Sequence, residues 1–261
     1  MNPIKLAYSF LRIGLLNEMQ YRVNFFIQLL QSFISVATGL IGLSLVFGQV
    51  TTLAGWSRPE LLTVMGVHLL MGGVIHSIIQ PNMGRIMDDV HNGTLDFALT
   101  KPADAQLLVS VREFRFWQLV DVIVGIVIIG LSFYQTHGTL GFLQLLGFLA
   151  ALIMGAIMLY CVWLMVTSIS FWIIRVQELN NLFEGLYAAG RWPVGIYPAW
   201  LRSGLTFLVP VAFAVTVPAE ALTNRLGGTS LLFALGMTIL FVVLARGLWL
   251  LGLTNYSGAS S

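Results

Sequence analysis

Apolar runs alternate along this chain with short polar interruptions, at a spacing that predicts membrane-crossing helices. The runs cover about Val23 to Phe47, Glu60 to Gln80, Phe116 to Tyr134, Phe142 to Ile174 and Thr229 to Leu251. A further helix opens on the polar string RVQELNNLFE, Arg175 to Glu184, and runs to about Arg191, making six expected spans. Ahead of them, Asn2 to Arg22 reads as an amphipathic helix, with Lys5, Ser9 and Arg12 on one face and Ile4, Leu6, Phe10 and Leu11 on the other. It lies along the membrane surface or packs on other protein helices.

Within the first span Asn24, Gln28, Gln31, Ser35 and Thr38 follow at steps of four, three, four and three. They form one polar stripe, because positions three and four apart share a helix face. Such a stripe faces protein or a watery path rather than lipid. Gln49 to Pro59 is a loop, with Trp56 as an interfacial anchor. His68 and His76 lie two turns apart on the second span with no carboxylate or cysteine beside them, which suits packed histidines and not a metal site. Asp121 lies about 7.5 Å inside the third span. It is either a functional group in the membrane or a headgroup-level side chain bonded to Trp117, Gln118 or a nearby arginine.

The longest polar interruption is Gly84 to Arg115, which holds nine of the 24 acidic and basic residues and therefore stands out as a docking element. Pro81 is expected to end the second span, and Gly84 to Val90 to form a short helix. Asn92-Gly93 then makes a turn. Thr94 caps a further helical turn that stops before Lys101-Pro102, since a residue preceding proline avoids the helical region. Asp104 caps the next helix. Gln135 to Gly141 is a tight external turn. Between the fifth helix and the last span lie prolines 193, 198, 210 and 218. There Leu205 to Val217 is too short to cross and fits a re-entrant or interfacial hairpin within a segment 193–226.

Composition sharpens the picture. The 261 residues are 57% hydrophobic and 9% charged, with a mean hydropathy of +0.88. Soluble domains carry about 25% charged residues, so this is an all-α integral membrane protein, one transmembrane domain over 1–261. A net charge of +2 gives no reason to expect nucleic acid as a partner. The apolar stretch near the N-terminus is broken by Arg12, Asn17, Glu18, Gln20 and Arg22, unlike a cleavable signal. Neither lysine, Lys5 or Lys101, follows a glycine, so no G-x-x-x-x-G-K-[ST] phosphate loop exists and any ATP is hydrolysed by another chain.

With the polar interruption inside, Lys5, Arg12, Arg22, Arg85, Lys101, Arg112, Arg115, Arg175 and Arg246 are cytosolic. Arg58, Arg191, Arg202 and Arg225 are outside, which favours both termini in the cytosol. Counting Leu205 to Val217 as a seventh span would place the C-terminus outside. An intramembrane enzyme would need acid and base groups at one depth, and Asp121, His68, His76 and Glu184 are scattered along the sequence. An ion-driven secondary transporter would show inverted repeats, and none is visible.

Together, the surface helix, six spans, charged loop and proline-broken hairpin resemble an ABC-2-type transporter permease. Gly93-Thr94-Leu95-Asp96 followed by Leu99, Lys101 and Pro102 is similar to the GTLD…L.KP signature of one bacterial branch. Ile196-Tyr197-Pro198, Trp200-Leu201, Pro210-Val211-Ala212-Phe213 and Pro218-Ala219-Glu220-Ala221-Leu222 resemble its later signature. Val209 departs from the wider superfamily, which often has asparagine there.

The resemblance implies an exporter half in a bacterial plasma membrane, paired with a second permease subunit, identical or related. The pair would sit on a dimer of cytosolic ATP-binding cassette ATPases. This chain would bind no cofactor, with ATP and magnesium held by the ATPase. The loop 84–102 would carry the coupling helix, with Arg85, Met87, Asp88, Asp89, Asn92, Gly93, Thr94, Leu95, Asp96 and Lys101 at the ATPase. Asn24, Gln28, Gln31, Ser35, Thr38, Asn181 and Glu184 would line a path or subunit interface. Pro198, Trp200, Pro210 and Phe213 would form an external gate. The low charge of the spans points to an amphiphilic or lipid-like substrate.

Overall fold

The computed structural model describes residues 22–102, 104–136, 141–173 and 177–256. The expected N-terminal amphipathic helix and most of the turn 135–141 fall outside the described residues. Helix α1 spans Arg22–Phe47. Helix α2, Arg58–Val74, continues through a π-helical turn, Ile75–Ile79, into α3, Gln80–His91. Short helices α4, Asp96–Leu99, and α5, Ala105–Val109, precede α6, Leu119–Thr136, and α7, Phe142–Ser168. Next come α8, Gln177–Ala188, then α9, Ala199–Ser203, with a π turn Gly204–Leu208. A second π turn, Ala212–Thr216, leads into α10, Val217–Leu222, and α11 is Ser230–Asn255.

The α2–α3 rod is the centre of the molecule. Its most apolar stretch is 83% buried, against 17–39% for the other four long helices, which turn apolar side chains such as Phe26, Phe33, Leu143 and Val243 outward. At 1.5 Å per residue its 34 residues reach about 51 Å, well beyond the roughly 30 Å of bilayer hydrocarbon. One end of the rod therefore projects from the membrane.

Helices α2 and α6 approach at glycines. A Cβ on Gly125 would meet the Gly66 carbonyl oxygen at 2.6 Å and the Leu70 nitrogen at 2.7 Å. One on Gly73 would meet the Val122 nitrogen at 2.8 Å. Close backbone contact replaces the hydrophobic effect as the adhesive where the surrounding solvent is itself apolar. Gly155 does the same for α7 against the α10 limb, its Cβ position lying 2.6 Å from the Ala214 Cα.

Among the described residues five helices are long and apolar enough to cross a membrane, and a sixth candidate arises if the pair Ala199–Leu208 and Ala212–Leu222, bent by 79°, counts as one span. This corrects the expected fifth span. Among the described residues helix α8 has 12 residues, about 18 Å of rise, which falls short of a crossing on its own. The chain nevertheless passes from one end of the bundle to the other between Phe171, packed on Trp249 and Tyr256 near the end of α11, and Arg225, bonded to Glu60 at the start of α2. The crossing is made jointly by α8 and the bent pair.

Three local expectations change. Pro81 does not end the helix. It enters at the start of α3, directly after the π turn whose wider coil accommodates a residue lacking an N–H. Thr94 does not cap α4, whose N-cap is Leu95, and its hydroxyl donates instead to Asp89 Oδ1 at 2.8 Å. Trp56 is no lipid-facing anchor: it is buried, follows a tight turn with positive φ at Ala54 and Gly55, and carries the Arg225 guanidinium 4.9 Å above its ring. Asp104 caps α5 as expected, accepting from the Leu107 N–H.

The glycine seam makes a differential prediction. Gly125→Ala forces helices apart and should cost about 1–3 kcal/mol. Gly130→Ala, on the same helix with nothing within 4 Å, should be neutral or stabilising by up to about 1 kcal/mol. Thermal unfolding of the two purified variants in detergent distinguishes them.

Candidate functional site

Two polar features stand out in an otherwise apolar molecule, and one helical turn joins them. The first begins at Pro81. Without an N–H it leaves the Ser77 carbonyl short of its helical donor, and the Arg115 N–H takes that place at 2.9 Å. One residue on, Asn82 is fully buried and uses all four of its hydrogen-bonding positions. Its amide nitrogen donates to the Ile78 and Glu113 carbonyls at 2.6 and 2.8 Å. Its oxygen accepts from the Arg112 and Glu113 N–H groups at 2.8 and 2.9 Å.

Around this clasp the returning chain is tied to α3 by charge. Arg112 pairs with Asp89 at 2.7 Å where both are largely shielded, and Arg85 pairs with Glu113 at 2.7 Å in a more exposed setting. Gly93, at φ +69°, takes the left-handed turn that ends α3. Further along, Arg246 of α11 donates to Asp104 at 2.6 Å and to Gln106 at 2.7 Å. That guanidinium holds the Asp104 carboxyl below the usual carboxylate range, against the opposing effect of partial burial. Tyr160 of α7 shares hydrogen bonds with Gln106 and Ser110. The loop is a fixed part of the bundle.

The residues expected at an ATPase divide accordingly. Met87 and Leu95 are buried within the chain, and Asp89 and Thr94 bond each other. Asp88, Asn92 and Lys101 are exposed, while Asp96 and Gly93 are half-buried. Beside them stand side chains that charge-based reading passed over: Phe97 is 74% and Leu107 65% exposed. Each is a large apolar side chain left facing outward from the polar loop.

The second feature is a cavity of about 390 Å³ among α1, α2, α6 and α8. His68 and His76 face it from the central rod, about 12 and 24 Å along the axis from Glu60, so it lies inside the membrane. Gln28, Gln31 and Ser35 of the polar stripe line it, whereas Thr38 bonds its own Ile34 carbonyl and Asn24 and Asn181 are exposed elsewhere. Asp121 accepts from Gln28 at 3.0 Å and from Ser32, not from Trp117. Ser32 sits beside the stripe, and its spacing of four from Gln28 was the available signal. Glu184 accepts from Gln80, and Tyr187 stacks on His68 while donating to the His68 carbonyl at 2.6 Å.

The expected gate residues are spread along the bent pair. Pro198, just before the first limb, and Trp200 within it are exposed, whereas Pro210, in the break, and Phe213, in the second limb, are buried, Phe213 against Phe233. Among the described residues, no group of three or more His, Cys, Asp or Glu side chains could hold a metal ion.

An all-helical membrane bundle with a clasped polar loop and a bent, proline-broken pair before its last helix is the architecture to compare with known families. The family model described as ABC-2 family transporter protein matches residues 33–260. The chain belongs to the ABC-2 transporter family. It is thus a multi-pass membrane protein and an ABC-type permease, a transport subunit of a class that works with an ATP-binding cassette ATPase. No curated protein and no solved structure matches it.

For this ABC-2 permease the clasp is the first thing to break. Asn82→Ala removes the side-chain partner of the Arg112 and Glu113 N–H groups and of the Glu113 carbonyl, at about 1–3 kcal/mol for each that stays buried and unpaired. Hydrogen exchange at the Arg112 and Glu113 amides should accelerate at least tenfold, while amides in α7 stay protected.

Proposed function

We propose that this chain is the membrane subunit of an ATP-driven exporter, moved by a separate ATPase that seats on the loop between α3 and α6. That loop faces the cytosol, both termini are cytosolic, and the membrane is a bacterial plasma membrane. ATP and its magnesium belong to the ATPase dimer. A second membrane subunit, the same chain or a related one, completes the path, and the substrate is amphiphilic or lipid-like.

The observation that carries this reading is a loop that exposes Phe97 and Leu107 and is hydrogen-bonded to the central rod through Asn82. A displacement of the loop reaches Ser77 through the Arg115 hydrogen bond, in the same π turn that holds His76 at the cavity wall. π turns tolerate such adjustment because their coil is locally wider and less regular than an α-helix. The ATPase stroke therefore arrives at the cavity through one turn of one helix. The bent pair at the Arg225 end closes the path on the outside, its exposed limb, entered at Pro198 and carrying Trp200, serving as lid over the buried limb with Phe213 that follows Pro210.

Phe97→Asp together with Leu107→Asp should reduce co-purification of the partner ATPase at least tenfold, with unchanged membrane insertion and thermal stability. Trp200→Asp, on the opposite end, should leave the ATPase bound. Equal recovery of the ATPase with the double variant would rule out this docking surface.

A further inference from the structure

At the end of the bundle opposite the polar loop, one side chain joins two segments far apart in sequence. Arg225, in the turn between α10 and α11, reaches across to the loop between α1 and α2. Its Nε donates to Glu60 Oε1 at 2.7 Å, and its Nη2 donates to Glu60 Oε2 at 2.9 Å and to the Gly55 carbonyl at 2.6 Å. A bidentate pair of this kind is strong and directional. The guanidinium also lies 4.9 Å from the centroid of the Trp56 ring, a further attraction. Glu60 is itself oriented, accepting from the Ser57 N–H and hydroxyl at the start of α2. The end of the bent pair is thereby fastened to the central rod.

Two observations distinguish this contact from a fixed tie. The first is backbone strain. Leu53 and Trp56 exchange both backbone hydrogen bonds at 2.9 Å around Ala54 and Gly55, which stand at φ +50° and +81°. A two-residue turn with both central residues at positive φ favours asparagine, aspartate or glycine, and alanine is strained there. Such strain persists only where the surroundings over-determine it. Arg225 supplies that constraint by holding the Gly55 carbonyl and covering Trp56. Asn224, the other non-glycine residue at positive φ among the described residues, is ordinary by comparison. It ends α10, where asparagine suits the left-handed position and the Arg225 N–H returns to the Glu220 carbonyl at 2.9 Å.

The second observation is an alternative partner. Glu220 lies on the same limb as Arg225, is half-buried, and takes part in none of the ion pairs among the described residues. The charge of Arg225 already acts on its carboxylate. The guanidinium therefore stands between two carboxylates, one on the rod and one on its own limb, and only the docked position carries the strain at Ala54.

We infer that Arg225 is a two-position catch for the bent pair. Docked on Glu60, Gly55 and Trp56, it locks the end of that pair to the rod. Released, it turns to Glu220, frees the end of the pair and lets Ala54 relax. Two discrete arrangements of one side chain give the bundle a bistable element at this end. Its use as the catch of an outer lid rests on the export reading above.

The test places nitroxide labels at Thr52→Cys and Gly228→Cys, both exposed, on the full chain in lipid nanodiscs; Cys161 is buried. Electron paramagnetic resonance then reads the separation of the two loops as populations. Two distances are expected, the shorter dominant. Glu60→Gln should raise the share of the longer at least threefold. Glu220→Gln should lower it at least threefold, by removing the alternative partner. Ala54→Asn should lower it as well, because asparagine–glycine suits the turn. A single distance in all four chains, or a longer one whose share Glu220→Gln leaves unchanged, reduces Arg225 to a fixed tie and overturns the catch. Should Glu60→Gln not fold, Glu220→Gln and Ala54→Asn, which keep the docked contacts, decide the matter. The measurement needs neither the ATPase nor the sidedness of the membrane, so its failure counts against the catch and spares the export reading.

Discussion

A proline inside a continuous helix sets the terms for the rest of this molecule. Near the membrane a backbone carbonyl deprived of its donor finds a new one or costs free energy, and Pro81 deprives Ser77. The remedy is the Arg115 N–H, delivered by chain that has left the rod and returned to it. Asn82 secures that return with four hydrogen bonds. The break that sequence logic assigns to proline becomes a splice, and the polar loop is welded to the central rod at its only irregular turn.

That weld places two chemically unlike regions in mechanical contact. On the water side are charge pairs and the exposed Phe97 and Leu107; on the membrane side, a few residues away on the same rod, is the wall of a polar cavity. The rod is held laterally by glycine contacts with α6, so its neighbours fix its position closely. Where helices pack at glycines the bundle is dry, and where α1 and α8 stand off from the rod it is polar. The same central helix serves both arrangements because its small residues Gly66 and Gly73 and its histidines occupy different stretches or faces.

The long helices were legible in the sequence because unbroken apolar runs have one stable solution in a bilayer. The polar stripe on α1 was legible in part: Gln28, Gln31 and Ser35 do line the cavity, because helical periodicity fixes which side chains share a face. What escaped depended on partners distant in the chain. Asn82 bonds residues about thirty positions away, and nothing local distinguishes it from a loop asparagine. Trp56 looked like a membrane anchor until Arg225, 169 residues later, was found over its ring. The composite crossing of α8 and the bent pair was illegible for a related reason. Each piece is too short to read as a span, and only their placement between Phe171 and Arg225 reveals the joint path.

The account stands on the clasped loop lying on the side of the membrane where ATP is hydrolysed. The chain's single cysteine, Cys161, is buried, so an introduced one can be labelled without background. With Asn92→Cys at the exposed tip of α3, a membrane-impermeant maleimide should label the protein in inside-out vesicles and leave it unlabelled in intact cells. Labelling of intact cells, with inside-out vesicles unreactive, would put the loop on the wrong face and contradict the account.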